Sequence, residues 1–144
     1  MLETLRQRLQ AHAPRRLDLG MPQAAVLLPI VDRPEPTVLF TRRATHLSTY
    51  GGQVAFPGGK RDQTDADLLT TALRESHEEI ALPPDQVELL GQLSDLVSLH
   101  GLQVTPYVGR IPPDLPLVPE PAELDAIFEV PLSLFLEDRR HHTD

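Results

Sequence analysis

The sequence predicts one mixed α/β domain, and three observations carry that prediction. Its 144 residues suit a single domain of about 100–200 residues, and 40% hydrophobic with 24% charged residues is enough to build a core. Apolar runs of strand length are interrupted by residues 66–80, where Ala66, Leu69, Leu73, Ser76 and Ile80 keep helical spacing. The 15 prolines fall mostly between these elements, as loop punctuation and not as a low-complexity linker.

Taken in order, Leu2, Leu5 and Leu9 mark a short opening helix that ends before Pro14, Arg15 and Arg16. Residues 24–31 (AAVLLPIV) form a continuous apolar strand, in which Pro29 predicts an edge position or a bulge. Residues 32–36 are a turn, and residues 37–41 the returning strand. A loop over residues 43–52 leads to a short strand at residues 53–56, stopped by Pro57-Gly58-Gly59. Asp65 is the expected N-cap of the helix over residues 66–80, which Pro83-Pro84 ends. Residues 87–93 and 103–111 are two further strands, joined by a loop carrying Ser98, His100 and Gly101. After a proline-rich stretch, a helix is expected near residues 123–128 and another after Pro131.

Charge and composition narrow the function. Lys plus Arg is 13 against 21 for Asp plus Glu, a net charge of −8. Such a chain lacks the basic face that nucleic-acid binding needs. An anionic substrate would require a recruited cation. There are no cysteines, so thiolate chemistry and disulfides are excluded. No apolar run approaches the roughly 18 residues of a membrane span, and the polar N-terminus does not resemble a signal peptide. A cytoplasmic location without membrane partners is the expectation.

The chemistry-bearing segment is Arg74-Glu75-Ser76-His77-Glu78-Glu79. On a helix Glu75 and Glu79 lie one turn apart and Glu78 lies at i+3 from Glu75, so three carboxylates project towards one side. Their mutual repulsion makes sense around a cation, and oxygen-only ligands favour Mg²⁺, Mn²⁺ or Ca²⁺. Arg74 stands at i−4 from Glu78 and could steady it. Phe56-Pro57-Gly58-Gly59 supplies backbone that can approach a ligand closely, with a carbonyl to offer. His77 points away from this face and is read as a surface residue; His100 is read as a loop residue, and His141 and His142 as terminal ones.

Residues 59–82 resemble the Nudix box, G-x5-E-x7-R-E-U-x-E-E-x-G-U, with U a bulky aliphatic residue. Arg74, Glu75, Glu78 and Glu79 match. Gly59 lies 15 residues before Arg74, one more than usual, Asp65 stands for the first Glu, Ser76 for an aliphatic residue and Ala81 for the glycine. Upstream, Leu39-Phe40-Thr41-Arg42-Arg43-Ala44, then Gly52, then Phe56-Pro57-Gly58-Gly59 are similar to the added motif of the coenzyme A pyrophosphatase branch, L-L-T-x-R-[SA]-x3-R-x3-G-x3-F-P-G-G. Ser48 stands where that motif has its second Arg, and Tyr50 where a His is common.

The resemblance implies a Nudix fold, a mixed β-sheet sandwiched between helices (α/β/α, an α+β arrangement). Residues 1–144 would be one such domain, with the family's C-terminal helix missing or very short. An uncovered sheet face would follow, and with it the hypothesis of a homodimer. The implied activity is Mg²⁺- or Mn²⁺-dependent hydrolysis of coenzyme A or its acyl derivatives to 3′,5′-ADP and 4′-phosphopantetheine. The alternatives are a Nudix hydrolase for ADP-ribose, NADH or a damaged nucleotide, and a non-catalytic nucleotide sensor. The implied catalytic residues are Arg74, Glu75, Glu78 and Glu79. Glu75, Glu79, Glu78 and the Gly59 carbonyl would hold metal. Arg42, Arg43, Gln53 and Gly58 would contact substrate. Glu120 and Glu123 are candidates for the base that activates water.

Overall fold

The computed structural model describes residues 2–15, 19–46, 51–99 and 101–134. Ser48, Tyr50, His100, His141 and His142 lie outside the described residues. Among the described residues the elements run in the order α1 (Leu2–Ala11), β1 (Gln23–Val31), β2 (Thr37–Arg43), β3 (Val54–Ala55), β4 (Gly58–Lys60), α2 (Leu68–Ile80), β5 (Glu88–Gln92), β6 (Leu96–Val97), β7 (Gln103–Ile111) and β8 (Leu124–Pro131). A 3-10 turn, Pro84–Gln86, separates α2 from β5.

The sheet runs β3-β2-β1-β7-β5, with β4 on β1, β6 on β7 and β8 on β2. It is mixed: β1 and β7 are parallel over their whole length, and the other pairs are antiparallel. One face packs on α2 through Ala25, Leu27, Leu39, Leu68, Ala72, Ile80 and Ile111. The other carries Leu9 of α1 with Ile30, Val38, Leu90 and Val108. Leu27 and Ile80 are fully buried, and each such side chain contributes about 1.5–3 kcal/mol. Gly91 lets α1 approach β5, since a Cβ there would sit 2.6 Å from Leu9 Cβ.

Pro29 is neither at an edge nor at a bulge; it is fully buried in the central strand. Its tolerance has a local reason. On one side β1 pairs with β4 at Ala24, Ala25 and Val26, and with β2 only at Ile30 and Val31. The Leu27 N–H reaches the Pro57 carbonyl on that same side, and alternation turns the nitrogen of Pro29 the same way. Proline thus occupies the gap where β1 changes partners, and no ladder bond is lost.

Four other expectations are corrected. The segment expected to be helical near residues 123–128 is strand β8, paired with β2 from Thr37↔Pro131 to Arg43↔Leu124. Ile127, Phe128 and Val130 favour a pleated surface, and β2 supplies the hydrogen bonds that so short a helix could not. The strand at residues 53–56 shrinks to Val54–Ala55, while Gly58 and Gly59, read as a stop, begin β4. The N-cap of α2 is Asp67, whose Oδ1 accepts from Thr70 N at 2.8 Å; Asp65 lies further out and is buried. The loop before β7 contains strand β6. After Pro131, residues 132–134 are helical as expected.

Candidate active site

The site is built where β4 crosses the C-terminal half of α2. Helical spacing buries Leu68, Thr71, Ala72, Ser76 and Ile80 against the sheet. That fixes the rotation of the helix and sends Glu75 and Glu79 towards the β4 backbone. The small Ser76, where the box has an aliphatic residue, is fully buried and its hydroxyl donates to Ala72 O at 2.7 Å. The replacement therefore leaves no orphan polar group.

The two glycines of β4 meet the two carboxylates. Gly58 N donates to Glu79 Oε1 at 2.8 Å. A Cβ on Gly59 would lie 2.6 Å from Glu75 Cδ, so only glycine lets that carboxylate stand against the strand. Gly58 has a second constraint, because a Cβ there would lie 2.3 Å from the Ala25 carbonyl oxygen.

Arg74 is the hub. Its Nε and Nη2 donate to Asp65 Oδ1 and Oδ2 at 2.9 and 3.0 Å, a bidentate fork. Nη1 reaches Glu75 Oε1 at 3.1 Å and Glu78 Oε1 at 3.3 Å, and Nη2 also meets the Lys60 carbonyl. Asp65 in turn accepts from Thr71 Oγ1 at 2.8 Å and from Asp62 N at 2.9 Å. The Arg74 guanidinium, these donors helping, holds the Asp65 carboxyl well below the usual carboxylate range. The expected Arg74–Glu78 pair is present but secondary; Asp65 is the principal partner. In the sequence Asp65 was read as a cap and as the residue standing for the first Glu of the box; its bond to Arg74, nine residues on, was not foreseen.

Glu79 behaves oppositely. Burial pushes its carboxyl up to about 7, the charges of Glu75, Glu123 and Glu78 add to this, and the Gly58 N–H partly offsets it. Glu75 is also raised, first by burial, with Arg74 opposing and Glu78 and Glu123 adding. Glu123, just before β8, therefore belongs to the same field. Glu120 turns inward on its own loop, its Oε1 accepting from Ala122 N at 3.3 Å.

Of the other residues singled out, Arg42 is tied by Nε to Asp125 Oδ1 at 2.7 Å and is exposed. The Arg43 N–H donates to Gln53 O at 2.7 Å and the Gly52 N–H to Arg43 O at 2.8 Å, closing the base of the loop after β2. Gln53 is exposed, and His77 is exposed as expected. The structure thus brings Gly58, Gly59, Arg74, Glu75, Glu78 and Glu79 together, and commits Arg42 to Asp125.

The donor set suits a hard divalent cation. It is all oxygen, and the Glu75 and Glu79 carboxylates each stand against a glycine of β4, with no side chain between them and the strand. Among the described residues no three His, Asp or Glu side chains form a finished cage. Mg²⁺ does not need one: it binds through one or two carboxylates plus waters and substrate phosphates.

Comparison with known proteins bears on the family and the fold. The NUDIX domain model matches residues 21–142. An uncharacterized Nudix hydrolase NudL from Shigella sonnei is 49% identical over 144 residues, covering 99% of this chain and 75% of that protein. Its counterpart from Salmonella paratyphi B is 52% identical over 124 residues, covering 86% of this chain and 65% of that protein. The chain thus spans about two thirds to three quarters of the length of these relatives. Among solved structures, a Nudix hydrolase from M. smegmatis, RenU, superposes with a TM-score of 0.66 at 24% identity, covering 81% of this chain and 74% of that one. The NUDIX domain of Shewanella oneidensis NrtR, solved with ADP ribose, gives a TM-score of 0.62 at 20% identity, covering 89% and 80%. At these identities the solved structures speak for the fold alone. The chain belongs to the Nudix family and carries a Nudix hydrolase domain. Among the described residues no helix is long and apolar enough to cross a membrane.

Proposed function

We propose that this domain hydrolyses the diphosphate bridge of coenzyme A or its acyl derivatives, with Mg²⁺ or Mn²⁺, giving 3′,5′-ADP and 4′-phosphopantetheine. The observation that carries the hydrolytic reading is the seating of Glu79 on Gly58 N–H and of Glu75 against Gly59. It joins the two conspicuous motifs of the sequence into one oxygen-lined site.

Glu75 and Glu79 would hold the ion, with Glu78 and the Gly59 carbonyl available beside them. When bound, the ion neutralises phosphoryl charge and lowers the pKa of a bound water. Arg74, locked by Asp65, keeps Glu75 and Glu78 oriented. The β4 backbone keeps Glu79 in place while its burial strengthens every electrostatic interaction there. Glu123 is the better placed of the two base candidates, because it shares the field of Glu75 and Glu79 while Glu120 is turned into its own loop.

The coenzyme A reading rests on the run before the box. Arg43, Gly52 and Gln53 are joined by backbone bonds, and Ala44 N donates to Glu123 O at 2.8 Å, which ties that run to the acidic site. A guanidinium at this point suits a phosphate group. The test is a panel of coenzyme A, acetyl-coenzyme A, NADH, ADP-ribose and deoxynucleoside triphosphates with Mg²⁺ or Mn²⁺, products being identified by mass. Release of 3′,5′-ADP from coenzyme A in preference to cleavage of the others supports the assignment. Preferred turnover of another member overturns the substrate, and absence of all turnover overturns the hydrolytic reading.

A further inference from the structure

Beyond Gly59 the chain lines a cavity of about 590 Å³, a usual size for a small-molecule pocket. Met21, Gln23, Arg61, Asp62, Gln63 and Gln103 form its walls, so three amide side chains meet in one space, and among the described residues no aromatic ring lines it. Gln23 and Gln103 are partners across the parallel β1–β7 pair. Gln103 is buried; its Nε2 donates to Asp95 Oδ2 at 3.3 Å, while Thr105 Oγ1 donates to Asp95 Oδ1 at 2.7 Å. Gln23 is held by Arg61, whose backbone N donates to Gln23 O at 2.9 Å and whose Nη1 donates to Gln23 Oε1 at 3.2 Å. Arg61 Nη2 also donates to the Asp65 and Ala66 carbonyls, and Asp62 Oδ1 accepts from Thr64 N and Thr64 Oγ1. The two charged walls thus offset each other and are already engaged by the protein, which leaves the Gln23 and Gln63 amides as recognition groups. The cavity is also tied to the glutamates: Asp62 N donates to Asp65 Oδ2, and Asp65 locks Arg74.

We propose that this cavity receives the amide-bearing arm of the substrate, the half released as 4′-phosphopantetheine. This deepens the proposed function and rests on its choice of coenzyme A. An amide side chain both donates and accepts, which is what the successive amide and hydroxyl groups of that arm require. A phosphate would need a guanidinium not already committed to carbonyls. A nucleobase would need a ring face to stack on, and the stacked rings of the described residues, Phe40, Phe56 and Phe128, are not in these walls. Position agrees with chemistry. Gly59 and Arg61 share one face of the strand, about 7 Å apart in extended chain, so an arm leaving a diphosphate beside Glu75 meets the cavity next. Arg43 and Gln53 lie on the other side of Gly58 and Gly59 along the chain, which leaves the nucleotide half to the run before the box.

The test follows the side-chain amide NMR signals of the isotope-labelled whole chain, titrated with pantetheine and, separately, with 3′,5′-ADP. Pantetheine carries no phosphate, so its binding does not depend on a metal ion. It should shift the Gln23, Gln63 and Gln103 signals, and 3′,5′-ADP should leave them in place. Gln23→Leu combined with Gln63→Ala should weaken pantetheine binding by about tenfold, and should raise KM for coenzyme A by a like factor with kcat little altered. Gln63→Ala alone, at an exposed position, should show part of that loss without any change in folding. Shifts caused by 3′,5′-ADP in place of pantetheine, or by neither compound, overturn the proposal, as does wild-type pantetheine affinity in both variants. A wild-type chain that binds pantetheine at the three amides and leaves coenzyme A uncleaved overturns the substrate reading instead, while the ligand of the cavity stands.

Discussion

The Gly58 N–H donates to Glu79 Oε1 at 2.8 Å, and the neighbouring Gly59 leaves no room for a Cβ beside Glu75. Two adjacent glycines therefore serve two carboxylates in different ways. At Gly58 a methyl group would strike the Ala25 carbonyl and Val26 Cα, both backbone. At Gly59 it would strike only the end of the Glu75 side chain, which can swing aside.

The glycines should accordingly separate in experiment. Gly58→Ala is expected to destabilise the fold by about 2 kcal/mol or more, seen as an earlier denaturation midpoint. Gly59→Ala is expected to melt near wild type while losing a hundredfold or so in turnover, the loss following the displaced carboxylate. Equal melting points for the two variants would contradict this.

Asp65 holds Arg74 through two hydrogen bonds, and its side chain is 2% exposed. Asp65→Asn leaves the guanidinium half-paired and should cost about 2–3 kcal/mol. The pH dependence has a definite sign. The folded carboxyl lies below its unfolded value of about 3.9, so its contribution is complete above that value and is lost as pH falls through the folded one. The stability gap between wild type and Asp65→Asn should be constant from about pH 5 upward and close below about pH 4, as measured by urea denaturation.

Glu79 should show the reverse slope. Its folded pKa of about 7 lies above the unfolded value of about 4.3. The metal-free fold therefore binds the extra proton in this interval and loses stability as pH rises through it. With a chelator present, Glu79→Gln should melt above wild type at pH 8, and the two should converge near pH 4. Millimolar Mn²⁺ at pH 8 should raise the wild-type midpoint and leave that of Glu79→Gln nearly unmoved.

Ala81 ends α2 with φ 59°, in the left-handed region, while Ala81 N and Leu82 N donate back to the carbonyls of His77 and Ser76. The four-residue bond from Ala81 N to His77 O makes this the simpler left-handed (αL) ending, with an alanine where glycine is unstrained. Ala81→Gly should stabilise the chain by about 1 kcal/mol, with a matching rise in melting temperature and unchanged turnover.

The parts of the molecule that were legible in the sequence are those governed by local spacing. Helical spacing over residues 66–80 located α2, but of the face it named only Ser76 and Ile80 are buried; the helix starts at Leu68 and buries Leu68, Thr71 and Ala72 with them, while Ala66 is exposed. The apolar runs gave β1, β2 and β7. What local spacing could not give was partner choice. Residues 124–131 become a strand because β2 offers an edge, Pro29 is central because β1 changes neighbours beside it, and Asp65 is buried because Arg74 reaches back nine residues to it. Glu123 was visible as one of two loop acids, and what sets it apart from Glu120, whose side chain accepts from Ala122 N, is a loop contact that no sequence pattern announces.

The central claim is that Glu75 and Glu79, one helical turn apart, hold a divalent ion on which phosphoanhydride cleavage depends. Its most direct test is the anomalous scattering of crystals soaked in Mn²⁺. The account predicts a strong peak in contact with both carboxylates and lost in Glu79→Gln crystals. A map with no peak between them, from protein that still turns over its substrate under the same Mn²⁺, would contradict it.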